Sequence, residues 1–370
     1  MIIDELKKHD KFVIYGAQVI AYGAYTAIKG LTGRTPLYFV VGNSDEKLRD
    51  GLNGNPGEIE DIEVRTIDEC PEDMFIVVAV TELVQKEVLP LLKAKGYENF
   101  FALTQYEEHV LMSEYYTSIG MFPTLETFRG LPVDYSDWNK STAAAKKLDL
   151  HMYEVGNHRD NVLSSRPELK EYEHPIQAGA ALSEKRIAEI LDNSGDNISE
   201  RNKQYCEMTA SYWIWKNKHH GWKGIEHYRR HLLVKPELLG EDVDAVLPLP
   251  YICYPDELYQ FRRFVSEDVE KALLTALKHV HPGEYEDYLE ILHGRYQYTY
   301  NMVCAREGVF NEYCEWFFEI TRYMETMGDK FTDIRDTRAL SYVAEVLTNF
   351  YFMSNRDDLR IYHVQKEIYV

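Results

Sequence analysis

Between residues 11 and about 105, short apolar runs alternate with amphipathic stretches, and this alternation constrains the fold more than any other feature. Lys11-Phe-Val-Ile-Tyr15 leads into Gly16, and a helical stretch follows from about Val19 to Leu31. Leu37-Tyr-Phe-Val-Val41 reads as a second strand closed by Gly42-Asn43, and Glu63-Val-Arg-Thr66 as a short third. Phe75-Ile-Val-Val-Ala-Val80 is apolar throughout, as a strand buried on both faces must be. A helix from Leu83 to Lys95 and a last strand at Asn99–Leu103 complete the set. Strands and helices in this order build an α/β domain with a parallel sheet covered on both sides. At 370 residues the chain is long for one core, so a second domain is expected.

The first strand and its turn resemble the opening of a Rossmann-like domain, assigned here to residues 1–105. Its phosphate fingerprint is degraded. In Gly16-Ala-Gln-Val-Ile-Ala-Tyr-Gly23 the second glycine position holds Gln18, whose side chain obstructs close approach by a pyrophosphate. A positioning or recognition role is therefore expected over dinucleotide chemistry. Residues 106–147 read as a connector, with a helix near Tyr106–Tyr116 and then Gly120, Pro123, Gly130 and Pro132. The second domain, residues 148–370, opens with Leu150-His-Met-Tyr-Glu-Val155 as a strand. Gly156, Asn157 and His158 then fall at the carboxyl end of that strand, the edge where open α/β sheets bind ligands.

Charge and cysteine usage exclude several functions. Lys and Arg number 41 against 61 Asp and Glu, and the net charge of −20 repels nucleic acid. Any phosphorylated ligand must be met by a local group of basic residues. Met1-Ile-Ile-Asp-Glu-Leu-Lys-Lys carries no secretory apolar stretch, and Met74–Val80 is too short to cross a bilayer. The five cysteines (Cys70, Cys206, Cys253, Cys304, Cys314) are odd in number and scattered, as suits buried residues of a reducing, cytoplasmic protein. The 28 tyrosines suit sugar stacking, and equally suit cores and interfaces.

The segment from Gly195 to His231 concentrates the candidate chemistry. Asn197 and Glu200 have the spacing of a capped helix start, and Tyr205, Met208, Tyr212 and Trp215 recur as one face of a helix running to Asn217. Glu207 and Asn202 point away from that face. After Gly224, Ile225 is expected to end a buried strand, with His227-Tyr228-Arg229-Arg230 turning out at its carboxyl end. Guanidinium groups grip diphosphates through paired donors. Pairing of Arg229 and Arg230 with some of the 61 acids satisfies the same spacing. Histidines 219, 220, 227 and 231 fit no common zinc pattern, so no metal site is expected.

Gly179-Ala-Ala-Leu182, Gly195-Asp-Asn-Ile-Ser199, Asn202, Tyr205-Cys-Glu207, Thr209, Tyr212-Trp-Ile-Trp-Lys-Asn217 and Gly224-Ile-Glu-His-Tyr-Arg-Arg230 together resemble one bacterial family. The match continues through Asp244-Ala-Val-Leu-Pro248, Tyr300-Asn301-Met302, Glu312-Tyr-Cys-Glu-Trp316 and Glu345-Val-Leu347, covering about residues 148–355. That family was long catalogued as a domain of unknown function. It occurs in capsule, exopolysaccharide and lipopolysaccharide gene clusters and is regarded as a glycosyltransferase.

The resemblance implies a GT-A-like fold in the second domain. It also implies transfer of a sugar, galactose in pyranose or furanose form, from a nucleoside diphosphate to a saccharide or lipid-linked acceptor. Such an acceptor places the work at the inner membrane face, peripherally or beside other assembly enzymes. The family of folds usually carries an Asp-x-Asp metal motif. Here His227-Tyr-Arg-Arg stands in its place, and Asp242-Val-Asp244 begins an apolar strand, so a divalent ion such as Mn²⁺ is not favoured and no cofactor is expected. By this resemblance Arg229 and Arg230 hold the diphosphate, and His227 a diphosphate or sugar hydroxyl. Tyr228 and Asn301 line the site. Gly156, Asn157 and His158 take the nucleotide end, while Asn202 and Glu207 contact the donor or brace the site. Asp268 and Glu345 are the two candidate bases. The competing reading is a non-catalytic sugar-nucleotide-binding or scaffold component of a polysaccharide-assembly complex.

Overall fold

The computed structural model describes residues 1–42, 56–135, 142–165, 168–331, 333 and 337–369. Asn43 and residues 136–141 of the expected connector lie outside these. The protein is α/β and divides into two units. Unit 1 comprises Met1–Pro123 with Tyr251–Pro255, and unit 2 comprises Thr124–Pro250 with Asp256–Val370.

Unit 1 contains strands β1 (Phe12–Tyr15), β2 (Phe39–Val41), β3 (Glu58–Ile59), β4 (Ile62–Thr66), β5 (Phe75–Val78) and β6 (Phe100–Ala102). Their order is β3-β4-β2-β1-β5-β6, parallel except for β3 against β4. Order reverses on either side of β1, as in doubly wound sheets. Val13, Val40, Ile76 and Val78 form the core under the helix Glu82–Ala94, which supplies Val88 and Leu92. Gly16 sits at φ +117°, where a Cβ would lie 2.6 Å from the Ala79 carbonyl oxygen. Close approach of β5 to this turn therefore requires the glycine, whatever the turn binds.

The helix Gln105–Ser118, expected as the start of a connector, belongs to unit 1 instead. It packs on the helix Val19–Thr32, where a Cβ on Gly23 would meet the Met112 sulfur at 3.5 Å. Val19–Thr32 is thus covered on more than one side, which is why it buries eight residues rather than a single stripe.

Unit 2 is built on a mixed sheet. Its strands are β7 (Leu150–Gly156), β8 (Glu173–Gln177), β9 (Ile190–Leu191), β10 (Trp222–His227), β11 (Arg230–Leu232), β12 (Ala245–Pro248), β13 (Val303–Arg306), β14 (Ile361–Val364) and β15 (Lys366–Ile368). The order is β14-β12-β13-β10-β7-β8-β9, with β11 pairing β10 and β15. β10, β7, β8 and β9 are parallel, while β13 runs antiparallel to β10 and β12. One face packs Leu150, Met152, Trp222, Val246, Cys304 and Val364 into a single core.

The single helix expected from Asn197 to Asn217 is broken. A turn at Ser199–Arg201 leads into a short helix, Asn202–Tyr205, and a second helix starts at Met208. Asn197 accepts from the Ser199 N–H (3.2 Å) and donates to the Gly195 carbonyl (2.9 Å), so it shapes the turn rather than capping a long helix. The break falls at Cys206, held at φ +47°. Its carbonyl accepts from the Asn202 amide at 2.7 Å. The apolar face survives the break. Tyr205, Met208 and Tyr212 are buried, and Tyr212 and Trp215 pack on Phe318.

Candidate functional site

Register sets the frame of the site. Val155 pairs with His227 and Gly156 with Gln177, so three parallel strands end side by side. A Cβ on Gly156 would lie 3.8 Å from that of Tyr228. The chain leaving β7 is tied down at once. Asn157 donates its main-chain N–H to Asp160 (2.6 Å) and its side-chain amide to the Ala178 carbonyl (3.0 Å) and Asn202 (3.1 Å). Asn202 in turn donates to Thr209 (3.0 Å), and Thr209 to Asp192 (2.7 Å).

Asp192 is the terminus of this relay and was not singled out by sequence. Fully buried, it also accepts the N–H groups of Gly179 (2.8 Å) and Ala180 (3.0 Å) and the Ser199 hydroxyl. Gly179, at φ +66°, is itself required, because a Cβ there would lie 2.6 Å from Asn202. Both side-chain N–H groups of Asn157 and of Asn202 are thus spent on the protein, so these two residues brace the site. Asp192→Ala would strand several buried donors at about 1–3 kcal/mol each. We expect a loss of stability of at least about 3 kcal/mol, measured by urea unfolding.

His227-Tyr-Arg-Arg230 forms a hairpin rather than a simple exit from the sheet. His227 pairs directly with Arg230, leaving Tyr228 and Arg229 as the two-residue turn. Buried Glu226 accepts the Leu232 N–H at 3.1 Å across the hairpin, and the Arg229 carbonyl accepts from Tyr369 at 2.8 Å. The turn is therefore held at its base while its basic side chains remain available. Among the described residues neither Arg229 nor Arg230 makes a side-chain hydrogen bond or ion pair within 4.0 Å. Arg230 lies over the Tyr300 ring at 4.3 Å, and its Nε is buried with no hydrogen-bond partner. The His158 Nδ1 is buried and unpartnered in the same way. Native proteins seldom leave such atoms unsatisfied without a use for them.

Two strained turns bring the remaining groups in. Tyr300 and Asn301 have φ of +72° and +52°, and Glu207 follows Cys206 at +47°. Non-glycine residues in this region cost about 1–3 kcal/mol each and cluster at working sites. The Asn301 side-chain amide donates to Glu207 at 2.8 Å, and the Thr348 hydroxyl donates to Asn301 Oδ1 at 3.1 Å. The His227 Nε2–H donates to the Tyr300 carbonyl at 2.5 Å. Burial, with Arg230 and Arg229 nearby, lowers the His227 pKa against the pull of Glu207. A neutral ring with its proton on Nε2 leaves Nδ1 as an acceptor.

Glu345 projects from the helix Ala339–Ser354 into this group. Burial, reinforced by Glu207, pushes its carboxyl up to about 7, although Arg230, the Tyr300 main chain and Arg338 pull it back. Asp160 is also raised, chiefly by burial, against the Asn157 N–H, Arg229 and His158. Sequence reading missed Asp160, whose signal was its place three residues after Asn157. Tyr300 was quoted only as a neighbour of Asn301.

Asp268 stands elsewhere. It is exposed in the first turn of the helix Glu267–Val280, acting on Lys271, and no described contact joins it to the cluster. Asp242 and Asp244 do not fit a metal site. Asp242 pairs with Arg129 at 2.6 Å and Asp244 with Arg360 at 2.7 Å.

The solved apo structure of WbbM, a bifunctional glycosyltransferase, shares the fold with a TM-score of 0.51 and 23% sequence identity. The similarity covers 60% of this chain and 45% of that one, so the chain spans less than half of its length. No curated protein matches the sequence. Residues 157–356, more than half of the chain and including His158, Glu207, the His227–Arg230 hairpin, Asn301 and Glu345, match the family described as "Domain of unknown function (DUF4422)", and the protein belongs to that family.

Proposed function

We propose that the protein is a glycosyltransferase with a GT-A-like second domain, acting on a nucleoside-diphosphate sugar at the His227–Arg230 hairpin. The observation that carries this is a hairpin with two arginines free of ion pairs among the described residues, of which Arg230 lies near Glu345, a carboxyl group raised to about 7. Glycosyl transfer builds positive charge on the sugar and negative charge on the departing diphosphate. Arg229 and Arg230 are placed to take the second charge through bidentate bonds made without ion-pair partners to displace. Glu345 removes the acceptor hydroxyl proton as that oxygen attacks the anomeric carbon and the bond to the diphosphate breaks. The His227 Nδ1 and the His158 Nδ1 are acceptors or donors for sugar and nucleotide hydroxyls. Glu207, locked to Asn301, sets the charge felt by Glu345 and His227.

The finer reading is galactose, as pyranose or furanose, passed to a growing capsule, exopolysaccharide or lipopolysaccharide chain on a lipid carrier at the cytoplasmic membrane face. Among the described residues no helix is long and apolar enough to cross a membrane. The Rossmann-like first domain would position the enzyme or its partners.

No step of this chemistry uses a metal. Nucleotide-sugar binding, measured calorimetrically, should therefore be the same with and without EDTA. Binding abolished by EDTA and restored by Mn²⁺ would refute that part of the mechanism. A binding-only scaffold component would hold the donor but release no nucleoside diphosphate when given an acceptor.

A further inference from the structure

A second cluster lies at the amino-terminal ends of the same three strands. His151 is the second residue of β7, His174 the second of β8, and His220 precedes β10 by two residues. Parallel register gathers them, with Lys223 opposite His151 and Tyr153 opposite His174. Asp149, at φ +51°, accepts the Gly221 N–H at 2.8 Å, which fixes its carboxylate between β7 and β10.

The three side chains offer ligand atoms within 4.8 Å of one another. His151 Nε2 lies 3.1 Å from Asp149 Oδ1, and His220 Nδ1 lies 3.8 Å from Asp149 Oδ2. The two imidazoles stack with centroids 3.6 Å apart and planes 19° from parallel, so a shared ion requires one ring to turn about its Cβ–Cγ bond. A tetrahedral ion with bonds of about 2.0–2.1 Å separates neighbouring ligand atoms by roughly 3.3 Å. The outer ring nitrogens have partners as well. His151 Nδ1 meets His174 Nε2 at 2.8 Å, and His220 Nε2 meets the Tyr153 hydroxyl at 3.1 Å. Metal-binding histidines usually have such outer partners, which fix the tautomer and aim the inner nitrogen. Two imidazole nitrogens and one carboxylate thus face one another, a ligand set that a cation can join by replacing the bridging proton. The side chains of Asp149, His151 and His220 are 57%, 29% and 19% exposed, leaving solvent access and room for a fourth ligand from water.

We propose that Asp149, His151 and His220 bind a divalent transition-metal ion of the zinc class, with His174 and Tyr153 orienting the two imidazoles. Five strand residues at about 3.3 Å each put Gly156 roughly 16 Å from His151. The ion thus stands apart from the transfer site, and its role is to tie the start of β7 to β10.

The test uses full-length protein stripped with a chelator and titrated with Zn²⁺ alone. One equivalent should bind and raise the melting temperature, and Co²⁺ in its place should give the visible bands of a tetrahedral site. Replacing both imidazoles (His151→Ala with His220→Ala) should weaken zinc binding by more than about 100-fold. Tyr153→Phe should weaken it by about 10-fold. His219→Ala, altering an exposed neighbour, should leave it unchanged. Absence of stoichiometric zinc binding by the wild-type protein, or equal affinity in the double variant, would overturn the proposal.

Discussion

Glu345→Gln is expected to lower sugar transfer by about 10²–10⁴-fold, the usual contribution of a positioned general base, in a protein that still folds and binds donor. Glutamine keeps the volume and one acceptor but cannot take a proton. The pH profile separates this role from a structural one. With its carboxyl raised to about 7, Glu345 is protonated and inactive as a base in acid, so kcat/KM should rise through about pH 7 and then level. The glutamine variant should lack that limb. Stability runs the other way. The folded protein holds the Glu345 proton more tightly than the unfolded chain, so stability falls as pH rises from the ordinary carboxylate range toward about 7. At pH 8 the glutamine variant should therefore be at least as stable as the wild type. A variant that is inactive because it is unfolded would contradict this assignment.

Arg230→Ala is expected to cost about 10²–10³-fold in kcat, the loss typical when one stabilising donor for a developing negative charge is removed. Binding of the donor should weaken less, because the charge on the diphosphate grows as the sugar departs. Arg230→Lys should recover little. A lysine ammonium has neither the planar group that lies over Tyr300 nor an Nε–H at the buried position. Arg229→Ala should also lose most activity while the protein stays folded, since the main-chain carbonyl that binds Tyr369 is unchanged. If Arg230→Lys restored full kcat, the contribution would be simple charge rather than geometry.

The parts of the fold that follow local periodicity were legible in the sequence. β1, the helix after it, β5 and β7 fall within two residues of their expected ends, because apolar runs and amphipathic stripes are local signals. The Asn202–Asn217 break was not legible. It depends on Cys206 adopting a positive φ, fixed by Asn202 and Thr209 in a network that ends on Asp192. Tertiary hydrogen bonds chose that conformation, and no helix propensity at Cys206 records it. The arginines of the hairpin stood out, but their freedom from ion pairs is a fact of three-dimensional placement. No sequence pattern separates Asp268 from Glu345 as candidate bases. Burial beside Arg230 and Glu207 distinguishes Glu345, whose partners come from segments far apart in the chain. The same limit hid the histidines at the other end of the sheet. His151 and His220 are joined by strand register, across a separation that no spacing rule covers.

As proposed, the hairpin and Glu345 together transfer a sugar from a nucleoside diphosphate. The most direct measurement gives the purified protein a panel of labelled nucleotide sugars with saccharide and lipid-linked acceptors, following nucleoside diphosphate release and glycoside formation together. Stoichiometric release and transfer from one donor are expected, insensitive to EDTA and lost in both Glu345→Gln and Arg230→Ala. Donor binding without transfer, or transfer undiminished in those two variants, would contradict it.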